Sequence, residues 1–84
     1  MYKIIFSRTA SKELADLPAQ AVNRIIPAIK KLGNDPRPVG CKKLKGESNA
    51  WRVRIGDYRV VYSIDDVIRI IDIRSVGHRK DVYD

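Results

Sequence analysis

The chain has 84 residues, 44% of them apolar and 32% charged, and its 17 Lys and Arg against 10 Asp and Glu leave a formal charge of +7. One domain spanning residues 1–84 is expected, burying roughly 60 to 65% of its unfolded surface, so stability is modest and any partner that binds the folded form adds to it. A lone cysteine, Cys41, excludes an internal disulfide and a cysteine-based zinc site, and no run approaches the ~18 apolar residues of a membrane span or resembles a signal peptide. A folded protein of the reducing cytoplasm is expected, with an anionic partner.

Residues 2–6, YKIIF, form a short β-rich run, and Ser7 or Thr9 can cap the helix that follows. Ala10, Leu14 and Leu17 recur at helical spacing, which turns Lys12, Glu13 and Asp16 outward. Pro18 disfavours helical geometry at Leu17 and can open a second helix running from about Pro18 to Leu32. Val22, Ile25, Ile26, Ile29 and Leu32 make its apolar stripe, and Gly33 is a natural left-handed stop. Pro27 removes one helical hydrogen bond; because the stripe keeps its phase, a kink is expected there and not two helices. Residues 34–49, NDPRPVGCKKLKGESN, read as loop, with Lys42, Lys43 and Lys45 as either a solvated cluster or a phosphate-tracking rim.

The stretch from Trp51 to Tyr62, WRVRIGDYRVVY, has a period of two on both sides of Gly56-Asp57. That is a β-hairpin signal, with Gly56 supplying the positive φ of a type II′ turn. A two-residue loop sets Ile55 against Tyr58 and Arg54 against Arg59. Arg52, Arg54 and Arg59 then share one sheet face, and Trp51, Val53, Ile55, Tyr58, Val60 and Tyr62 the other, as core. Like charges directly opposite cost stability, so three guanidiniums on one patch call for a polyanion.

Asp65-Asp66 reads as a second tight turn, and Val67 to Val76 as a central strand with Ile71 and Ile73 on one face and Ile68 and Ile70 on the other. A two-residue turn would set Asp72 opposite Arg59; one more residue would reverse that parity. The predicted fold is α+β: an N-terminal strand and a two-helix hairpin packed on the Trp51 face of a mostly antiparallel four-stranded sheet.

Metal chemistry is poorly served by one His, one Cys and scattered carboxylates, and no cofactor motif is present. Arg, Lys, His and Tyr remain, a set that suits RNA. Attack of a ribose 2′-hydroxyl on its own phosphate needs a base, an acid and positive donors around the phosphorus. Guanidiniums fill the third role, and His78 and Tyr83 are the proton carriers within reach. DNA lacks the 2′-hydroxyl.

The element order, the segment KKLKG before the hairpin, GDYRVVY after its turn and SVGHRKDVY at the end resemble the RelE/ParE superfamily of toxins over nearly the whole chain. The resemblance implies a metal-independent endoribonuclease that cuts messenger RNA in the ribosomal A site. It also implies a small acidic antitoxin of the RelB type, encoded alongside and forming a hetero-oligomer with the toxin. It maps the basic pair of the first hairpin strand to Arg52 and Arg54, the second-strand arginine to Arg59, and the C-terminal arginine and tyrosine to Arg79 and Tyr83. His78 stands where members carry lysine or histidine. Some members have lysines at positions 52 and 54; arginine is a poor general base, which favours charge stabilisation there. The ParE branch, which acts on DNA gyrase, and a non-catalytic basic binding module are the alternatives.

Overall fold

The computed structural model describes residues 1–47 and 49–78, so Arg79 and Tyr83 lie outside the described residues. Among those residues the order is β1 (Lys3–Phe6), α1 (Arg8–Ala15), α2 (Ala19–Leu32), β2 (Lys42–Lys43), β3 (Ala50–Ile55), β4 (Tyr58–Asp65) and β5 (Ile70–His78). The strands form one sheet in the order β1-β5-β4-β3-β2, with β1 parallel to β5 and the other neighbours antiparallel. The sheet therefore has five strands where four were expected. The extra one is Lys42–Lys43, whose two residues pair with Arg52 and Trp51. A two-residue strand has no periodicity to reveal it.

Both helices pack on the Trp51 side, as expected. Ala10, Ala21, Ile25, Ile29 and Leu32 meet Val60, Tyr62, Ile64, Ile71, Ile73 and Val76 in the core, and Leu14, Leu17, Trp51, Val53, Ile55 and Tyr58 pack around it. Each fully buried isoleucine contributes about 1.5–3 kcal/mol by leaving water. Ser7 caps α1 by accepting from the Ala10 N–H at 3.0 Å. Pro18 is the residue before α2 and not its first helical one. Pro27 sits inside a single helix on its exposed side, so water can reach the Asn23 carbonyl that the missing N–H leaves unbonded.

Gly33 is not the left-handed stop its sequence suggested: its φ of −60° is helical. It is small for a different reason. A Cβ there would stand 3.2 Å from the carbonyl oxygen of Tyr2, where the Tyr2 N–H donates to the Gly33 carbonyl at 2.8 Å.

The turn after β4 is longer than two residues. Asp65 pairs with Ile70, leaving residues 66–69 in the loop. The Asp65 carboxylate accepts from the N–H groups of Val67 and Ile68 at 3.0 and 3.1 Å, closing an Asx-type turn. Val67 and Ile68 are consequently exposed loop residues and not part of the strand. Asp72 pairs with Ser63, and Gly77 takes the place opposite Arg59. The central position expected for this strand is observed, between β1 and β4.

The pairing of β4 with β5 contains a bulge. Val61 faces Ser75 while Tyr62 faces Ile73, so Arg74 is an extra residue on β5. Without it, Ile73 and Val76 would project from opposite faces; with it, both are buried under the helices. Glu13, expected to face solvent, holds this bulge. Its Oε1 accepts from the Val76 N–H at 3.0 Å and from the Ser75 hydroxyl at 3.1 Å. The reason is the end of β1: past Ile73 that edge of β5 has no strand partner, and α1 supplies one through Ser7 and Glu13.

At the opposite end of the sheet, Asp66 accepts from the Tyr2 hydroxyl at 2.6 Å and pairs with Arg37 at 2.9 Å, while the Arg37 guanidinium lies 5.1 Å over the Trp51 ring. The buried Tyr62 donates to the Pro36 carbonyl at 2.8 Å. Burial, and then the nearby Cys41, raise the Tyr62 phenol well above its ordinary range. These contacts fasten the proline-containing loop across the open end of the core.

Two consequences are measurable. Glu13→Ala leaves the buried Val76 N–H without its charged acceptor and is expected to cost about 1–3 kcal/mol in chemical denaturation; an unchanged midpoint would contradict the role given to Glu13. The Arg37 guanidinium, and then the Tyr2 hydroxyl, hold the Asp66 carboxyl below the usual carboxylate range. A depressed folded-state pKa gives stability that is present above about pH 4 and lost as pH falls through the folded value. Asp66→Asn is therefore expected to lower the Tm by a few degrees at pH 7 and to converge with the parent near pH 2.

Candidate nucleic-acid interface

The hairpin forms with the predicted register. Ile55 pairs with Tyr58 and Arg54 with Arg59, and Gly56 has a φ of 60° while Asp57 does not enter positive φ, the signature of a type II′ turn. Arg52 pairs with Val61, which keeps it on the same side as Arg54 and Arg59. Lys42, paired with Arg52, adds a fourth positive charge to this row. Across from Arg59, Gly77 brings no side chain. The two helices lie on the other side, so among the described residues no helix covers this face of the sheet.

The arginines differ in exposure. Arg54 is exposed and donates from Nε to the Gly56 carbonyl at 3.0 Å, which folds its guanidinium toward the hairpin tip. Arg52 and Arg59 are half-buried, a placement that limits their rotamers and suits fixed recognition of a phosphate better than a freely solvated lysine would. Lys43 pairs with Trp51 and so leaves from the opposite side of its strand; with Lys45 it is exposed at the rim and outside the row.

His78 is separated from that row. Its register partner is Tyr58, so it projects toward the helix side, and its ring meets Tyr58 edge-on at 5.7 Å between centroids and 78° between planes. The structure thus brings Lys42, Arg52, Arg54 and Arg59 together and places His78 on the reverse side of the same strand ends.

Arg24 escaped the sequence reading. It lies on the exposed side of α2, where periodicity marks it only as polar. Its guanidinium atoms come within 2.9 to 3.1 Å of where a Cβ on Gly56 would stand, so they pack directly on the hairpin turn. Beside the row, α2 and β3 also border a depression of about 510 Å³. Ala28, Leu32, Val39, Val53 and Ile55 line it, with Lys31 and Arg54 adding positive charge and Asp35 a carboxylate. This depression is mainly apolar and adjoins the arginine face instead of coinciding with it. Neither helix is long and apolar enough to cross a membrane.

Among the described residues, a five-stranded sheet with two helices on one face is a fold that known proteins share. The family model for the ParE toxin of type II toxin-antitoxin system, parDE, matches residues 4–83. Toxin RelE3 of Methanocaldococcus jannaschii is 33% identical over 86 residues, covering 98% of this chain and 96% of that protein. Toxin RelG of Mycobacterium tuberculosis is 34% identical over 84 residues, covering 98% and 95%. Among solved structures, the toxin–antitoxin complex RelBE2 from Mycobacterium tuberculosis superposes with a TM-score of 0.82 at 30% identity, over 93% of this chain and 98% of that one. The archaeal RelE–RelB complex from Pyrococcus horikoshii OT3 gives 0.82 at 28% identity, over 96% and 98%. The chain belongs to the RelE/ParE superfamily of type II toxin–antitoxin toxins.

Proposed function

We propose that this chain is the toxin of a type II toxin–antitoxin pair. Its activity is that of a metal-independent endoribonuclease that cuts messenger RNA at the ribosomal A site and so stops translation. The observation that carries the reading is the directly paired Arg54 and Arg59, flanked by Arg52 and Lys42, on the sheet face that no helix covers. The planar donor forks of these guanidiniums match pairs of RNA phosphate oxygens.

In this mechanism the ribose 2′-hydroxyl gives up its proton as its oxygen attacks the adjacent phosphorus, the P–O5′ bond breaks to leave the 2′,3′-cyclic phosphate, and the departing 5′-oxygen takes up a proton. Arg59, with Arg52, Arg54 and Arg79, stabilises the charge that grows on the phosphoryl oxygens. Proton transfer is assigned to Tyr83, because arginine rarely gives up its proton and because His78 leaves the opposite side of the sheet, packed on Tyr58. His78 then acts by bracing the strand end from which residues 79–84 depart. Lys43 and Lys45 track flanking phosphates from the rim.

The partner is a cognate acidic antitoxin of the RelB type, making a toxin–antitoxin hetero-oligomer. Related toxins are solved in such complexes, as the RelBE2 and RelE–RelB structures are named. The apolar depression beside β3, with Lys31 and Arg54 outnumbering the single carboxylate of Asp35, fits an amphipathic acidic segment, which would also mask Arg54 from RNA.

A second reading has one specific support, the family model named for ParE: inhibition of DNA gyrase without nuclease activity. Primer extension on translating message separates the cases. New 5′ ends at A-site codons are expected with the parent protein, falling about 10²–10³-fold in Arg59→Ala and by a similar factor in Tyr83→Phe, but less than about 10-fold in His78→Gln, a size suited to loss of bracing. Inhibition of supercoiling without new 5′ ends would establish the gyrase reading instead, and RNA binding without either effect would indicate a non-catalytic module.

A further inference from the structure

Arg24 comes from α2, on the helix side of the sheet, and Arg54 from the bare side, yet both reach the same glycine. The Arg24 guanidinium packs where a Gly56 Cβ would be, with Nη2 at 2.9 Å, Nη1 at 3.0 Å and Cζ at 3.1 Å from that position. Arg54 bonds the Gly56 carbonyl through Nε at 3.0 Å, a contact that does not use its two terminal nitrogens. Asp57, the neighbouring carboxylate, is exposed and makes no ion pair with either arginine, and among the described residues Arg24 has no carboxylate partner. Two guanidiniums thus converge on a backbone turn that any larger residue would fill. The Gly56 carbonyl accepts from Arg54, and no carboxylate among the described residues pairs with either guanidinium.

We propose that the tip of the β3–β4 hairpin is a second phosphate site, in which Arg24 and Arg54 together grip an RNA phosphate that lies outside the row formed by Arg52 and Arg59. Arg54 belongs to both sites, since it pairs across the strands with Arg59 and touches Gly56. The RNA backbone therefore passes along the bare face and turns around the hairpin end toward α2. Arg24 is a binding residue here and takes no part in bond breaking; its contact sets where the strand leaves the site. An acidic protein side chain would present similar oxygens, but continuity with the arginine row favours a second phosphate of the same strand. The proposal rests on the ribonuclease reading for its choice of RNA.

The test uses an uncleavable 2′-O-methyl RNA 12-mer and fluorescence anisotropy across a salt series. Arg24→Gln is expected to weaken binding about 5- to 10-fold at low salt and to reduce the slope of log K against log salt by about 0.7, the value of one single-strand phosphate contact. Arg24→Lys restores most of the slope. Unchanged affinity and slope in Arg24→Gln, at an unchanged Tm, would overturn the proposal, as would a loss confined to an acidic antitoxin peptide. Independently of any variant, titrating the parent protein with inorganic phosphate should shift the Gly56 and Asp57 amide resonances saturably, and no shift would also overturn it. The two readings fail separately: an intact slope effect without A-site cleavage would sink the nuclease and keep the site, whereas cleavage lost in Arg59→Ala with Arg24→Gln binding normally would do the reverse.

Discussion

The extra residue at Arg74 decides what each face of the sheet is for. Side chains alternate strictly along a strand, so one inserted residue reverses every side chain beyond it. Before the bulge, Ile71 and Ile73 point under the helices; after it, Val76 and His78 do, while Ser75 and Gly77 take the bare face opposite Val61 and Arg59. Removing the bulge without any other change would bury Ser75 and expose Val76. It would also bring His78 to the arginine side, so the separation of His78 from Arg59 is a direct product of this irregularity. Glu13 holds it from a helix more than sixty residues away in sequence, through a charge-assisted bond to the Val76 N–H.

That arrangement explains why a small domain tolerates a crowded cationic face. The burial that stabilises the fold is concentrated on the other side, where Ile25, Ile29, Leu32, Val60, Tyr62, Ile71 and Ile73 are almost wholly removed from water. Repulsion among Arg52, Arg54 and Arg59 acts across a surface with access to solvent and is damped accordingly. An acidic segment in the neighbouring apolar depression would add hydrophobic contact to charge compensation.

How far the sequence was legible follows from the range of the interactions involved. The hairpin could be read to the residue, because strand alternation and a Gly-Asp turn are local signals, and the register that sets Arg54 against Arg59 follows from loop length alone. The turn at Asp65-Asp66 misled for an equally local reason. Asp65 caps the two N–H groups ahead of it, and Arg69 adopts a φ of 58°, uncommon for a residue with a Cβ, so four residues are absorbed where two were visible. Strand β2 left no trace because two lysines paired through their backbones look like any basic loop. Glu13 was assigned to solvent by its helical phase, which cannot see that β1 ends early and leaves β5 an open edge. Arg24 is the same kind of omission: only the packing of α2 against the hairpin reveals that a polar residue on a helix completes a turn on a strand pair.

The hairpin tip is where the two faces cease to be separate. Along most of β3 and β4 the sheet itself divides the buried aromatic and aliphatic side from the cationic side. At Gly56 the division ends, and Arg24 and Arg54 meet around a residue with no side chain to keep them apart. Tyr58 and His78, next in register, terminate the core at the same end, and residues 79–84, which carry Arg79 and Tyr83, depart from there. Packing of His78 on Tyr58 therefore fixes the end of β5. A substitution in the core beneath Tyr58 acts on the hairpin end through packing, whereas one at Arg54 changes the cationic face without touching the core. The glycine at position 56 lies on both routes, which makes it the residue where stability and recognition are least separable.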